Sequence, residues 1–275
     1  MIKNIIKFQQ AYKFTGVKTI DYISDIHLEC WKTITKKSIE TNFKTQYTDI
    51  RNVLCIAGDI CNPYDKKYAE FINIVSNFYK KIFITSGNHE YYDDYRNMEM
   101  IDNKAKTICK KYGVEYLNKN VVNYMGHRFA GCTLWTYINK TSNEQSTNDI
   151  TKMMYDYQKI KGFTIEKQNE LHKDHIKWLS EMINNSENTP IIVMTHHLPT
   201  IDFVYEKYLN TILSTAFYSN SDDLIKPPVM LWICGHTHYK KYFIKNGVIC
   251  AVNPYGYHNI TPKHKNKNKL ETIIL

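Results

Sequence analysis

A chain of 275 residues with 43% hydrophobic and 23% charged side chains has the composition of a globular protein, which excludes a collagen, a coiled coil or a disordered tail. Its longest apolar run, Val229 to Cys234, is far below the roughly 20 residues that span a bilayer, and Lys3 and Lys7 break the first apolar residues, so neither a membrane partner nor a secretion signal is expected. Seven cysteines without paired spacing make no disulfide framework and point to an intracellular, cytoplasmic setting, while a net charge of +9 carried almost wholly by lysine, with arginine only at Arg51, Arg96 and Arg128, makes nucleic acid a weakly supported partner.

No repeat and no Pro/Gly/Ser-rich linker divides the chain, so one domain over 1–275 is expected, with its core motifs in 19–257 and an N-terminal extension over 1–18. Five short aliphatic runs bounded by polar residues or glycine read as buried strands: Thr19 to Ser24, Val53 to Ala57, Ile82 to Thr85, Ile191 to Thr195 and Met230 to Cys234. Between the second and third, Lys66 to Lys80 carries Tyr68, Phe71, Ile72, Val75, Phe78 and Tyr79 on one helical stripe, which makes a strand, helix, strand unit. A second helix is expected from about Asp94 to Tyr112, stopped by Gly113. Two strands then flank Met125-Gly126, the second running through Phe129 to Trp135, and residues 137–152 read as a polar surface loop. Thr164 caps a third helix bearing Leu171, Ile176, Leu179 and Ile183. Tyr239 to Ile244 and Val248 to Val252 flank Asn246-Gly247 as a hairpin, and Leu270 to Leu275 closes a mixed α/β architecture of about ten strands.

Each of the five strands is followed at once by residue types that bind metals: Asp25-Ile26-His27, Gly58-Asp59, Gly87-Asn88-His89-Glu90, Thr195-His196-His197 and Gly235-His236-Thr237-His238. Strand carboxyl ends line the ligand crevice of open α/β sheets, so distant segments can deliver these side chains to one place. In an extended segment Asp25 and His27 would point the same way, as would His236 and His238, and the glycines would permit tight turns and close approach. Oxygen and imidazole donors without thiolate suit Mn first, with Fe, Zn or Ni as alternatives.

The five blocks, in this order, resemble the calcineurin-like metallophosphoesterase family, whose pattern runs D-x-H, G-D, G-N-H-D/E, H, G-H-x-H. Similarity is greatest to its small single-domain branch, through Tyr22 to Glu29, Leu231 to His238 and Asn253-Pro254-Tyr255-Gly256-Tyr257. The resemblance implies a four-layer αββα sandwich of two mixed β-sheets flanked by helices, and two divalent metal ions. Asp25, His27, Asp59 and His238 would hold one ion, and Asp59, Asn88, His196 and His236 the other, with Asp59 bridging. A hydroxide between the ions would attack a phosphoester in line, with His89 protonating the leaving oxygen.

Around this set, Glu90 is a candidate for fixing an imidazole, and His197 for lining the substrate pocket or making a supporting hydrogen bond. Arg96 is a candidate phosphate clamp; Tyr91, Tyr92, Trp135 and Tyr257 are candidates for stacking on a base, which would suit a nucleotide or another phosphodiester. His172 and His175 read as an exposed helix face and Cys61 as a buried filler, while His127, His258 and His264 receive no role. The phosphoprotein phosphatase branch continues its G-D block with Asp-Arg-Gly; here Asp59-Ile60-Cys61-Asn62-Pro63 departs from it. The expected activity is therefore a metal-dependent phosphodiesterase or phosphomonoesterase (a phosphatase). The alternatives are a nuclease, using Lys263, Lys265, Lys267 and Lys269, and a non-catalytic scaffold of the same fold. Specificity is expected in the variable surface segments 137–163 and 200–228.

Overall fold

The computed structural model describes residues 16–46, 52–139, 144–187, 189–209, 211, 214–257 and 270–275. In chain order its strands are β1 (Thr19–Ile23), β2 (Asn52–Ala57), β3 (Lys81–Thr85), β4 (Glu115–Leu117), β5 (Asn120–Tyr124), β6 (His127–Cys132), β7 (Ile191–Thr195), β8 (Val229–Cys234), β9 (Lys241–Lys245), β10 (Val248–Val252) and β11 (Glu271–Ile274). The helices are α1 (Lys36–Phe43), α2 (Lys66–Val75), α3 (Met98–Lys111), α4 (Glu144–Met153), α5 (Asp156–Lys159), α6 (Ile165–Asn184) and α7 (Ser214–Phe217). Among the described residues no helix is long and apolar enough to cross a membrane.

Two mixed sheets lie face to face, one in the order β11-β1-β2-β3-β4 and the other β5-β6-β7-β8-β10-β9. In the first, β1 to β4 are parallel and β11 is antiparallel; in the second, β6, β7, β8 and β10 are parallel and the two edge strands are antiparallel. The central strands β7, β8 and β10 are apolar almost throughout because both of their faces are covered. Along β2, Val53, Cys55 and Ala57 meet Phe129, Ile192 and Leu231 between the sheets, while Leu54 and Ile56 turn outward to Tyr68, Phe71 and Ile72 of α2. The second sheet is backed in the same way: Val193, Trp232 and Cys250 pack on Leu179, Met182 and Ile183 of α6. The result is the αββα sandwich expected from the sequence.

Helix boundaries follow local capping. Asp65 accepts from Lys67 N to start α2, but the helix ends at Val75 rather than Lys80, because the Ser76 hydroxyl and Asn77 amide both turn back to the Asn73 carbonyl. α3 starts at Met98, four residues later than expected, since Asp93 gathers the Tyr95 and Arg96 N–H groups into a turn and Asn97 becomes the cap. Thr164 caps α6 as expected. The hairpin also holds: Asn246 and Gly247 both have positive φ (51° and 84°), the twist a two-residue turn needs.

Three expectations are corrected. Residues 144–153 of the expected loop are helical, anchored where Ile150 is buried with Ile138, Ile165 and Ala216. The strand expected to reach Trp135 stops at Cys132. Segments 137–163 and 200–228 are structural as well as superficial, since Ile160, Phe163, Phe203, Val204, Leu224 and Ile225 are buried. The strands β4 and the helix α1, with its Thr35–Ser38 capping box, had no counterpart in the sequence reading.

Candidate metal centre

The carboxyl ends of β1, β2 and β3 lie side by side in one sheet and those of β7 and β8 in the other, so the five motif loops meet at one edge of the sandwich. The loop after β1 is laced to the loop after β2: the N–H groups of Asp25, Ile26, His27 and Leu28 donate to the carbonyls of Gly58, Asp59, Asp59 and Ile60 at 2.8 to 3.0 Å. That lacing overturns the extended conformation expected for Asp25 to His27. Asp25 (φ 53°), His27 (49°), Asp59 (57°), His236 (71°) and His238 (51°) are all left-handed, a conformation that costs a residue with a Cβ about 1 kcal/mol or more and concentrates at functional sites.

The expected ligand atoms converge in two groups. Single donor atoms of Asp25, His27 and His238 lie within 4.8 Å of one another, and so do those of Asp59, His196 and His236. In the first group His27 Nε2 is 2.9 Å from His238 Nε2, which is 3.3 Å from Asp25 Oδ1. In the second, His196 Nε2 is 3.3 Å from Asp59 Oδ2 and 3.0 Å from Asn88 Oδ1. Asp59 Oδ2 also lies 3.7 Å from His27 Nε2, so one carboxylate faces both groups. Its other oxygen accepts the His89 backbone N–H at 2.9 Å.

The glycines serve close approach more than unusual φ. Of the three that precede ligand candidates, only Gly58 has positive φ (82°). At Gly87 a Cβ would stand 2.1 Å from Asp59 Oδ1, and at Gly235 it would stand 2.8 Å from Asp25 Oδ2. Both carboxylates therefore occupy space that any other residue would fill.

Electrostatics bind the cluster. Burial would raise the Asp59 carboxyl, but the charges of His196 and His89 hold it well below the usual carboxylate range. Burial likewise works against protonation of His196 and His89, and Asp59 outweighs it, lifting them to about 10 and about 9. Burial lowers His236 well below its usual value, helped by the neighbouring His197 and His196, and it takes His197 to about 3.

The surrounding shell differs in part from expectation. Glu90 is buried, but its carboxylate accepts the backbone N–H groups of Asp59 (3.0 Å), Gly87 (2.7 Å) and Ile60 (2.7 Å) and fixes two loops, not an imidazole. Burial and the charge of Asp59 raise it to about 8 against the pull of those donors. His197 is fully buried behind the second group, its Nδ1 donating to the Thr133 carbonyl, so it supports the site and does not line a pocket. Tyr91 is buried with its hydroxyl on Asp102, away from the ligand atoms, and Arg96 is held by Asp93 at 2.7 Å and stacked 3.9 Å above Tyr64; neither serves as expected. Trp135 is buried against His197 and Phe163. Tyr92 and Tyr257 do reach the cluster, 4.2 Å from the His89 ring and 4.4 Å from the His27 ring.

His172 and His175 are not an exposed face: both hold the Trp135 backbone, by its carbonyl and its N–H. Cys61 is the buried filler expected. His258, His264 and Lys263, Lys265, Lys267 and Lys269 lie outside the described residues. Two carboxylates went unseen in the sequence reading. Glu29, which closed the stretch Tyr22 to Glu29 but was given no role, contacts His27 and His89. Asp156, in a variable segment, contacts Asn88 and Tyr92 and gave no signal.

These residues fit a divalent cation. His196 Nδ1 donates to the Ala57 carbonyl, so its Nε2 faces only the oxygens of Asp59 and Asn88, a set of acceptors that a proton or a cation must complete. His236 Nε2 is buried without a hydrogen bond, and its neutral imidazole is the form that ligates. An uncharacterized protein, L509, of Acanthamoeba polyphaga mimivirus is 32% identical over 263 residues, 88% of this chain and 92% of its own length. The phosphopantetheinyl hydrolase of Mycobacterium tuberculosis superposes with a TM-score of 0.70 at 15% identity, covering 94% of this chain and 97% of that one. TT1561 of Thermus thermophilus superposes with a TM-score of 0.54 at 14% identity, covering 87% and 90%. Both likenesses speak to the fold. The profile that describes the calcineurin-like phosphoesterases matches residues 18–240, which contain all five motif loops, and the chain belongs to that family of phosphoester hydrolases.

Proposed function

We propose that the protein hydrolyses phosphodiesters at a two-metal centre, in which Asp25, His27, Asp59 and His238 hold one divalent cation and Asp59, Asn88, His196 and His236 the second. The observation that carries this reading is the position of Asp59 Oδ2, 3.7 Å from His27 Nε2 and 3.3 Å from His196 Nε2. Carboxylate, amide and imidazole donors without thiolate favour Mn, with Fe, Zn or Ni as the alternatives. When bound, the two cations supply Lewis-acid polarisation of the phosphoryl group and a water acidified towards neutrality.

The chain's own residues do the rest. Lacing of the loops and the left-handed backbone hold the donors in place before substrate arrives. His89 lies outside both ligand sets, 17% exposed and with its Nδ1 2.8 Å from Glu29, and is placed to give a proton to the leaving oxygen. A diester is favoured over a monoester on two grounds. Tyr92 and Tyr257 place aromatic faces beside His89 and His27, where a second ester group can stack. Arg96, the candidate phosphate clamp, is committed to Asp93 and Tyr64, so no arginine is offered to the extra charge of a monoester by that residue.

Hydrolysis of bis(p-nitrophenyl) phosphate and of p-nitrophenyl phosphate in Mn, with His89→Ala in parallel, tests the reading. Faster diester cleavage, reduced in the variant, is expected. Faster monoester cleavage would overturn the diester preference, and silence on both with two metals bound would replace the enzyme reading by the scaffold. No observation among the described residues favours the nuclease.

A further inference from the structure

Glu29 belongs to none of the motif blocks, yet one of its oxygens is placed between two functional imidazoles. Its Oε1 lies 2.9 Å from His27 Nδ1 and 2.8 Å from His89 Nδ1. The two rings meet edge to face with centroids 4.4 Å apart, so a single acceptor in the angle between them reaches both. An ionised carboxylate has no proton to give, and both bonds therefore require the imidazoles to be protonated at Nδ1. For His27 this fixes the tautomer with a free lone pair on Nε2, the atom that faces His238 and Asp59. For His89 it pins the ring by one nitrogen and turns the other away from Glu29.

We infer that Glu29 is a positioning residue that couples the metal centre to the leaving-group acid, holding His27 and His89 by their Nδ1–H groups so that each works through Nε2. The inference rests on the proposed two-metal reading and assigns its acid a fixed orientation. It also explains the position of Glu29 in the chain: the residue follows His27 by two, in the middle of the single helical turn Leu28–Cys30, whose preceding backbone is bonded to the loop after β2. A carboxylate partner on the far nitrogen of a ligating histidine raises its basicity, and removing such a partner typically weakens metal binding about 10- to 100-fold. A general acid contributes roughly 100- to 10,000-fold, most where the leaving group is poorest.

Three readouts on Glu29→Ala and Glu29→Gln test this. The first is long-range nitrogen NMR of the metal-free protein, where wild type should show His27 protonated at Nδ1 and Glu29→Ala should lose that preference. The second is Mn affinity by equilibrium dialysis, expected to fall about 10-fold or more in Glu29→Ala with stoichiometry unchanged. The third is kcat at saturating Mn on aryl diesters whose leaving groups run from 4-nitrophenol to phenol. Loss in Glu29→Ala should steepen towards phenol, and Glu29→Gln, which keeps an acceptor oxygen, should fall between wild type and Glu29→Ala. In a His89→Ala background the same change should leave the leaving-group slope unaltered.

Wild-type tautomers, affinity and slope in Glu29→Ala would overturn the inference while leaving the two-metal reading standing. A drop in Mn stoichiometry would overturn it too, making Glu29 a ligand. A wild-type protein without bound metal or turnover would instead remove the reading beneath it. Should Glu29→Ala fail to fold, the graded slope and the tautomers of Glu29→Gln decide alone.

Discussion

Asp156 Oδ1 accepts the Asn88 amide at 2.7 Å, and the same oxygen accepts the Tyr92 hydroxyl at 2.9 Å. The buried carboxylate thereby decides which way the Asn88 amide points: Nδ2 to Asp156 and Oδ1 to His196, 3.0 Å away. Without it Nδ2 keeps only the Tyr92 hydroxyl, 3.1 Å away, which can donate as well as accept and so no longer distinguishes the two ends. On the proposed two-metal reading, Asp156→Ala should weaken binding of one of two metal equivalents by about 10- to 100-fold and leave the other unchanged. Stepwise Mn titration by calorimetry reads this directly, and two unaltered steps would show that His196 and Tyr92 orient the amide unaided.

The two sheets are held apart by stacked rings as well as aliphatic side chains. Phe83 of β3 and Phe129 of β6 lie with centroids 3.8 Å apart and planes within 5°, both fully buried. Phe129→Ala should cost about 3 to 5 kcal/mol, because the gap between two rigid sheets closes only in part. Urea unfolding of the metal-free variant checks the loss; below about 1 kcal/mol the sheets would have to repack freely.

Acid stability should depend on a histidine remote from the ligands. Burial lowers His175 from its usual 6.5 to about 3, with Asp174 opposing and Lys119 and His172 assisting. The folded state thus disfavours the charged form, and the stability that neutral His175 contributes is complete above pH 6.5 and declines as pH falls towards 3. At pH 5 the decline amounts to about 2 kcal/mol. Burial also lowers His127 and His172, with the same sign. Between pH 7.5 and 5 the metal-free wild type should therefore lose about 2 kcal/mol more than His175→Gln in urea unfolding. Equal losses in the two proteins would place the proton elsewhere.

The site was more legible in the sequence than the details of the fold. Asp25, His27, Asp59, Asn88, His196, His236 and His238 lie in the loops that follow strand ends, so residue type and strand order pointed to one shared place, while the division into two ligand sets came from the family resemblance. Glu90, Tyr91 and Arg96 were misjudged because adjacency along a chain says nothing about direction: the single turn His89–Tyr91 sends Glu90 inward to backbone amides and Tyr91 to Asp102. Glu29 and Asp156 act across sequence separations of 60 and 68 residues, which no local pattern encodes. The helix α4 escaped notice because only Ile150 among its described side chains is buried, too little for a periodic signal.

Gly87 offers the sharpest separation of site from fold. A Cβ there would meet Asp59 Oδ1 at 2.1 Å, Asp59 N at 2.8 Å and His196 Cε1 at 2.8 Å, so Gly87→Ala must push the shared carboxylate or the loop that carries it. Gly113 is the contrasting position: its φ is +71° but its Cβ would enter open space at the end of α3. Gly113→Ala should cost about 1 kcal/mol of stability through its left-handed backbone and leave metal binding intact. On the proposed two-metal reading, Gly87→Ala should retain the far-ultraviolet circular dichroism of wild type yet lose both equivalents of Mn, because the carboxylate it displaces faces both ligand groups. Loss of a single equivalent would show that Asp59 serves one metal alone, and retention of both would require the loop after β3 to shift without moving Asp59.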